Sequence, residues 1–356
     1  MEKRSNLKNI AIVAGGYSSE AVVSLKSAQG IYSFIDKEKY NVYIVYITRE
    51  SWIVQTNCHC GLDPQSPANY DGIAGQARND SEVVIDKNDF SFTHDGKKIK
   101  FDFAYITIHG TPGENGLLQG YLDMLNVPYS CCGVLAASLT FNKFYCNHYL
   151  NTFGVKTAKS VLLRKGETKS SEEIIAELGL PVFVKPNDGG SSFGTNKVKD
   201  IKELQPAIAA AFNEGQEVII ESFMPGTEVT CGCYKVETRH ATSSARKSVV
   251  FPITEVVSKN EFFDYNAKYN MESDEITPAR ISDALTNEIQ ELTAKIYDWT
   301  GAKGIIRVDY IISPDNVVRM LEVNTTPGMT ATSFIPQQVR AAGLNITDVM
   351  TEIIEN

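Results

Sequence analysis

Apolar residues along the chain fall into short dense runs, set apart by glycine-rich or polar turns. Asn9–Ala14 (NIAIVA) ends at Gly15-Gly16 and reads as a strand buried on both faces. Behind it, Ser18-Ser19-Glu20 offers helix-capping chemistry, and Val22, Val23, Leu25, Ala28 and Ile31 recur at helical spacing. Tyr40–Thr48 predicts the next strand, so the chain opens as β-α-β. Phe101–Ile108 predicts a further strand running into His109-Gly110, Leu117–Leu125 a helix, and Val127–Tyr129 a short strand. From Gln55 to Glu82 the periodicity stops. Gly61, Pro64, Pro67, Gly72 and Gly75 sit there among Asn, Asp, Gln and Ser, which predicts an exposed insertion at 55–82.

The rest of the chain mixes helix and strand patterns. A helix-rich stretch runs from Val134 to about Phe153. Strands are expected at Ser160–Leu163, Val182–Lys185 and Val218–Glu221, with helices at Ser171–Leu178 and Ile201–Phe212. The last third predicts strands at Val229–Val236, Val249–Val257, Ile305–Ile312 and Val317–Val323, and a helix from Ser282 to Thr300. Ser258–Pro278 has little periodicity, and a segment of that length in a compact domain often serves as an active-site lid. The fold class that follows is α/β and then α+β, without internal repeats.

Composition narrows the function classes. At roughly 100–200 residues per domain, 356 residues make two or three domains. The 34 basic against 43 acidic side chains give a net charge of −9, so no nucleic-acid partner is expected. No apolar run approaches ~18–20 residues, so no membrane-spanning helix is expected. The stretch MEKRSNLKNIAIVAGG lacks the long apolar segment of a secretory signal, which points to the cytoplasm. Seven cysteines, an odd number, fit a reducing compartment. Neither Cys58-His59-Cys60, Cys131-Cys132 nor Cys231-Gly232-Cys233 has zinc-site spacing, and Cys231 and Cys233 read as alternating packing residues.

Two constellations carry chemistry. The turn Gly15–Glu20 fails the dinucleotide fingerprint G-x-G-x-x-G, and the phosphate-loop pattern is absent. Instead, Lys185 ends an apolar strand and Pro186-Asn187-Asp188-Gly189-Gly190-Ser191-Ser192-Phe193-Gly194 follows. Such a turn either aims backbone N–H groups at phosphate oxygens or is a flexible hairpin. Further on, alternation along a strand puts Arg307 and Asp309 on one face, and Glu322 and Asn324 on one face of the next. An all-oxygen cluster of this kind suits Mg²⁺ or Mn²⁺ shared with substrate phosphates, and the arginine could neutralise charge in a transition state. The alternative is a cross-strand salt bridge on a solvated face, against which the flanking Ile305, Ile306, Val308 and Leu321 argue. In the aperiodic segment, Phe262–Tyr269 sets Lys268 beside Tyr269, where the lysine could close over a phosphate.

These blocks, in this order, resemble the D-alanine–D-alanine ligases of the ATP-grasp superfamily. The resemblance spans nearly the whole chain outside 55–82. It rests on Gly15-Gly16…Ser18-Ser19-Glu20…Val23-Ser24-Leu25, His109-Gly110…Gly113-Glu114-Asn115-Gly116…Gln119-Gly120, Asn142-Lys143 and Lys185-Pro186…Gly190-Ser191-Ser192…Gly194. It continues through Tyr265…Ala267-Lys268-Tyr269, Arg307-Val308-Asp309 and Glu322-Val323-Asn324-Thr325…Pro327-Gly328-Met329-Thr330…Ser333. It implies an ATP-grasp fold behind an N-terminal Rossmann-like parallel α/β domain. Residues 1–133 would bind the first D-alanine, 134–228 would form the central ATP-grasp subdomain, and 229–356 the C-terminal one with a lid at 258–278. The implied reaction is ATP-dependent joining of two D-alanines through an acyl phosphate, for peptidoglycan precursors.

The resemblance also implies roles. Lys143 and Lys185 would hold the α- and β-phosphates of ATP, with Gly190, Ser191 and Ser192 covering them. Glu221, Ser222, Phe223 and Met224 would meet the adenine, Glu228 the ribose, and Lys268 the γ-phosphate. Asp309, Glu322 and Asn324 would hold two Mg²⁺ or Mn²⁺ ions, with Glu322 bridging. Arg307 and the Gly328 N–H would stabilise a tetrahedral oxyanion. Glu20 would take the first ammonium with His109 nearby, and Ser333 the second carboxylate beside Phe334. Glu20, Ser191 and Tyr269 would form a hydrogen-bonded triad. Relatives that make D-alanyl-D-lactate carry Phe where Tyr269 stands, so the tyrosine implies an amine acceptor; a ligase making D-alanyl-D-lactate or D-alanyl-D-serine is the alternative. Ala21-Val22 departs from the family, which often shows His or Arg followed by Glu. A homodimer is expected.

Overall fold

A computed structural model describes residues 7–18, 20–56, 82–190, 194–237, 246–258 and 273–356. The apolar run near the N-terminus is strand β1 (Lys8–Gly15), buried from Ile10 onward. Helix α1 (Ala21–Phe34) carries the chain across to β2 (Tyr40–Ile47), parallel to β1. Two short antiparallel strands follow, β3 (Trp52–Gln55) and β4 (Glu82–Val84), and a hairpin of β5 (Ser91–His94) and β6 (Lys97–Lys100) stands apart. Strand β7 (Phe103–Ile106) then pairs with the other side of β1, giving the order β4-β3-β2-β1-β7. The sheet order reverses at β1, so the loops after β1 and β7 form the crevice where α/β sheets bind ligands. Those loops carry Glu20 and His109. Residues 57–81 of the expected insertion lie outside the described residues.

Helices α2 (Leu117–Met124), α3 (Val134–Phe141) and α4 (Lys143–Asn151) lead to a second, antiparallel sheet. Its strands are β8 (Ser160–Arg164), β9 (Val182–Pro186), β10 (Asn196–Val198) and β11 (Glu217–Ser222), in the order β10-β9-β11-β8. Helices α5 (Ser171–Leu178) and α6 (Leu204–Glu214) pack on it through Ile174, Leu178, Ile208 and Ala211. Helix α5 starts where a capping box lets it: Ser170 accepts from the Glu173 N–H, and Glu173 accepts from the Ser170 N–H.

The third sheet comprises β12 (Thr227–Glu237), β13 (Arg246–Val250), β14 (Thr254–Ser258), β15 (Ser273–Ile276), β16 (Ile306–Ile312) and β17 (Val318–Asn324). Its order is β15-β14-β12-β16-β17, with β13 also on β12. Helix α7 (Asp283–Trp299), with Ser282 as N-cap, packs with α3 and α4 against the apolar face of β12, β16 and β17. Helices α8 (Phe334–Ala341) and α9 (Ile346–Glu355) turn back onto β1 and α1 in a core shared by the first and third sheets.

Three expectations are corrected. Val249–Val257 is two strands, because Pro252 has no N–H to give a ladder; the Phe251 N–H bonds the Gly232 carbonyl at 2.9 Å instead. Val127–Tyr129 contributes a single bridge, Ala104 to Tyr129. Helix α1 has no side-chain cap at Glu20, and the Ser18 hydroxyl donates across to the His109 carbonyl at 3.2 Å. Cys131, Cys132, Cys146, Cys231 and Cys233 are buried and free, while Cys58, His59 and Cys60 lie outside the described residues. Among the described residues, no helix is long and apolar enough to cross a membrane.

Candidate active site

A cleft of about 770 Å³ opens among the three sheets. That volume suits a nucleotide-sized ligand. Its described lining includes Glu20, Lys143, Lys185, Gly190, Glu221, Ser222, Phe223, Met224, Glu228, Arg307, Asp309, Glu322 and Phe334, which brings together most of the residues singled out above.

The central sheet and helix α4 each supply a cation. Strand alternation in β9 sends Val182 and Val184 into the core and Phe183 and Lys185 into the cleft. Lys185 Nζ meets Glu221 of β11 at 2.7 Å, both side chains being nearly buried, and Asn147 Nδ2 donates to the other Glu221 oxygen at 3.1 Å. Burial pulls the Lys185 pKa down, but Glu221 and then Glu322 more than reverse it, so the value ends raised. Lys143, at the start of α4, donates to the Gly189 carbonyl. Burial lowers its pKa, with Glu322 the leading opposing charge.

Asn187, fully buried, fixes this arrangement. Its side chain accepts from the Phe144 N–H at 2.9 Å and donates to Glu217 at 2.7 Å, while its carbonyl accepts from the Lys143 N–H. The phosphate-type turn is thereby held against the end of α4. Sequence reasoning gave Asn187 no role, although an amide directly after a strand-ending Lys-Pro was a visible signal.

The third sheet supplies carboxylates. Arg307 binds Asp309 bidentately through Nε and Nη2, each at 2.8 Å, and its guanidinium lies 5.2 Å from the Phe334 ring centre. Asp309 also accepts from Thr230 Oγ1 at 2.6 Å and Asn324 Nδ2 at 3.0 Å. Across the ladder, Arg307 faces Asn324 and Asp309 faces Glu322, and the register shifts immediately after Asp309. Thr230 was not foreseen; one hydroxyl in an alternating strand carries no signal of its partner. No group of three or more His, Cys, Asp or Glu side chains is placed to hold a metal among the described residues. The oxygen donors here are two carboxylates and an amide.

The first sheet closes the cleft. A Cβ on Gly190 would come 2.8 Å from Glu20 Oε1, so glycine is what lets the turn approach that carboxylate. His109 is buried, its Nε2 has no hydrogen-bond partner among the described residues, and burial followed by Arg307 pushes its pKa down to about 4. Glu114 joins two loops: it accepts from the Gly110 N–H and from Thr326 Oγ1, each at 2.7 Å. Burial and then the nearby Glu20 charge raise its pKa to about 7. His109, Gly328, Asn324 and Ser333 are not among the described lining residues. Gly328 and Ser333 do adjoin, since a Cβ on Gly328 would lie 3.1 Å from Ser333 Oγ. Ser191, Ser192, Lys268 and Tyr269 lie outside the described residues, so the expected triad is represented by Glu20 alone.

Comparison with known proteins shows the family and the fold. Residues 9–132 match the family described as D-ala D-ala ligase N-terminus, and residues 149–355 the D-ala D-ala ligase C-terminus. A protein named D-alanine--D-alanine ligase from Azobacteroides pseudotrichonymphae is 62% identical over 352 residues, 98% of this chain and 100% of that protein. One of the same name from Bacteroides fragilis is 61% identical over 349 residues, 98% and 99% of the two chains. Among solved structures, the VanG D-Ala:D-Ser ligase from Enterococcus faecalis superposes with TM-score 0.80 at 30% identity, covering 98% of this chain and 99% of that one. The Bacillus anthracis D-alanine--D-alanine ligase complexed with ATP gives TM-score 0.71 at 25% identity, covering 98% and 96%. The chain belongs to the D-alanine–D-alanine ligase family and has its ATP-grasp fold.

Proposed function

We propose that the chain joins two D-alanine molecules into D-alanyl-D-alanine while ATP becomes ADP and phosphate, feeding peptidoglycan synthesis in the cytoplasm. The observation that carries this reading is the convergence, on one cleft, of a half-buried lysine pair, an arginine-held carboxylate cluster and Glu20. Lys143 and Lys185 would bind ATP phosphates, with Glu221 holding Lys185 in place beforehand. Ser222, Phe223, Met224 and Glu228 would receive the nucleoside. Glu20 would hold the ammonium of the first D-alanine. A carboxylate oxygen of that D-alanine attacks the γ-phosphorus, ADP leaves, and an acyl phosphate results. That step asks for positioning and charge neutralisation rather than an enzyme nucleophile.

The amine of the second D-alanine then attacks the acyl carbon and loses a proton, and the bond to phosphate breaks. Arg307 and the Gly328 N–H would stabilise the oxyanion between these events. The Asp309 fork and the Phe334 ring fix the direction in which the guanidinium points. Ser333 would take the second carboxylate. Asp309, Glu322 and Asn324 offer oxygen donors only, which fits a hard cation, and they would hold two Mg²⁺ or Mn²⁺ ions. Such ions supply neutralisation of phosphate charge. A homodimer is part of the same reading.

The test is ADP and phosphate release with ATP, Mg²⁺ and D-alanine, set against L-alanine, D-serine and D-lactate, with product masses. D-alanine-dependent ADP and a D-alanyl-D-alanine mass are expected. A product carrying D-serine or D-lactate from equimolar mixtures would overturn the choice of acceptor.

A further inference from the structure

Helix α8 carries two neighbouring glutamines with different duties. Gln338 is fully buried: it accepts from the Gly232 N–H at 3.0 Å and donates to the Thr230 carbonyl at 2.9 Å and Thr254 Oγ1 at 3.1 Å. It fills the place where β12 changes partner from β14 to β13, a structural task. Gln337 faces the other way. Its Nε2 donates both to the Thr332 carbonyl, at 2.7 Å, and to a carboxylate oxygen of Glu275 on β15.

Those two bonds lie beside the turn that leads into Phe334, a residue of the cleft lining. Residues 330–333 form a tight turn, with the Ser333 hydroxyl accepting from the Thr330 N–H at 3.0 Å and lying 2.8 Å from Thr330 Oγ1. The hydroxyl consequently makes no capping bond to α8, whose N-cap it is. Arg340 Nη2 holds the Ala331 carbonyl at 3.1 Å, and Gln337 holds the next one. Gln337 has a further bond, which reaches strand β15. Glu275 lies in the field of Arg307, whose guanidinium covers the ring of Phe334, the residue after Ser333.

We propose that Gln337 and Glu275 act as a clamp that positions the Ser333 turn and thereby tunes binding of the second amino acid. The inference rests on the proposed role of Ser333. The pair touches no substrate; these are positioning residues. A displaced carboxylate-binding turn weakens acceptor binding while the ATP and first-substrate contacts, made by other elements, persist. Errors of about 1 Å in such placement can cost on the order of 10²-fold.

Steady-state rates of the full chain against D-alanine separate a donor KM from an acceptor KM. Gln337→Leu and Glu275→Leu should each raise the acceptor KM about tenfold, a loss the size of one hydrogen bond to a charged group. Donor KM and kcat should stay within about twofold, uniform binding having been lost only at the second site. Glu275→Gln should keep the wild-type acceptor KM, because its amide oxygen still accepts from Gln337. The double variant Gln337→Leu/Glu275→Leu should be no worse than either single one. An unchanged acceptor KM in Gln337→Leu overturns the clamp, as does a parallel rise of both KM values. Should Gln337→Leu fail to fold, the contrast between Glu275→Leu and Glu275→Gln decides. Wild-type turnover with D-serine or D-lactate in place of the second D-alanine would sink the D-alanine reading, and the clamp would then be judged on that acceptor's KM.

Discussion

The central sheet and the two sheets that flank it are built on different principles. Among the described residues, Val161, Ile174, Val184, Leu204, Val218 and Ile220 close a core made of the central sheet and its own two helices. The first and third sheets share theirs: Ile10 and Ile12 of β1 pack with Ile335 and Val339 of α8 and with Ile353 and Ile354 of α9. Polar ties follow the same division. Tyr40 donates to Glu355 at 2.8 Å and Tyr234 to Glu352 at 2.6 Å, stitching α9 to both flanking sheets. The central sheet instead hangs largely on α4, through Lys143 with Gly189, Phe144 with Asn187, and Asn147 with Glu221. Arg307, Glu20, Glu114 and, through α4, Lys143 thus belong to one frame, and Lys185 to a layer with its own core set against it. A layer with its own core can open locally at lower free energy than the whole molecule.

The comparison can be pressed at three points. The largest effect belongs to Arg307→Ala on the frame: dipeptide formation should fall about 10³-fold, as for removal of an oxyanion donor. ATP affinity, measured by calorimetry, should survive, because Lys143 and Lys185 are untouched. Normal turnover would remove the oxyanion assignment. Next, Ile174→Ala should destabilise the central layer by about 3 kcal/mol. Hydrogen exchange should then show lost protection across 160–222, with β1 and α9 still protected; equal loss in both would mean one cooperative unit.

The smallest effect concerns Glu114, which bridges the Gly110 loop and Thr326 within the frame. Its folded pKa, near 7, lies above the ordinary 4.5, so the folded state holds the proton more tightly. The stability this contributes is complete below pH 4.5 and is lost as pH rises through about 7. Melting temperature should therefore decline between pH 5 and 8, and decline less in Glu114→Gln. Identical slopes in the two proteins would show that Glu114 does not hold its proton in the fold.

What could be read from the chain beforehand was local. Alternation put Arg307 with Asp309 and Glu322 with Asn324, and a strand-ending lysine marked Lys185, because both facts depend on a few adjacent residues. The bond between Thr326 and Glu114 spans 212 positions, and the one between Gln337 and Glu275 spans 62; side-chain meetings of that kind leave no trace in periodicity. Strands β3 and β4 are four and three residues long, too short to show an alternation. Pro252, by contrast, was a legible objection to one strand over Val249–Val257. Helices α3 and α4 pack through Ala136, Ala137, Cys146 and Leu150 against the third sheet, a partnership that their position before the central sheet conceals.

The pairing of β3 with β4 has a consequence for how the chain can grow. Gln55 and Glu82 are register partners, so the polypeptide leaves the sheet and returns to it at one point. Register also tells which end that is. Trp52 lies beside Ile47, next to the Gly15 turn, whereas Gln55 lies beside Ile44, further from the end of the sheet that faces the cleft. Loop closure rises by only about 0.6 kcal/mol per doubling of length. The Gln55–Glu82 pair is therefore a port at which a tight turn, a reporter or a whole additional domain could be spliced without shifting strand register.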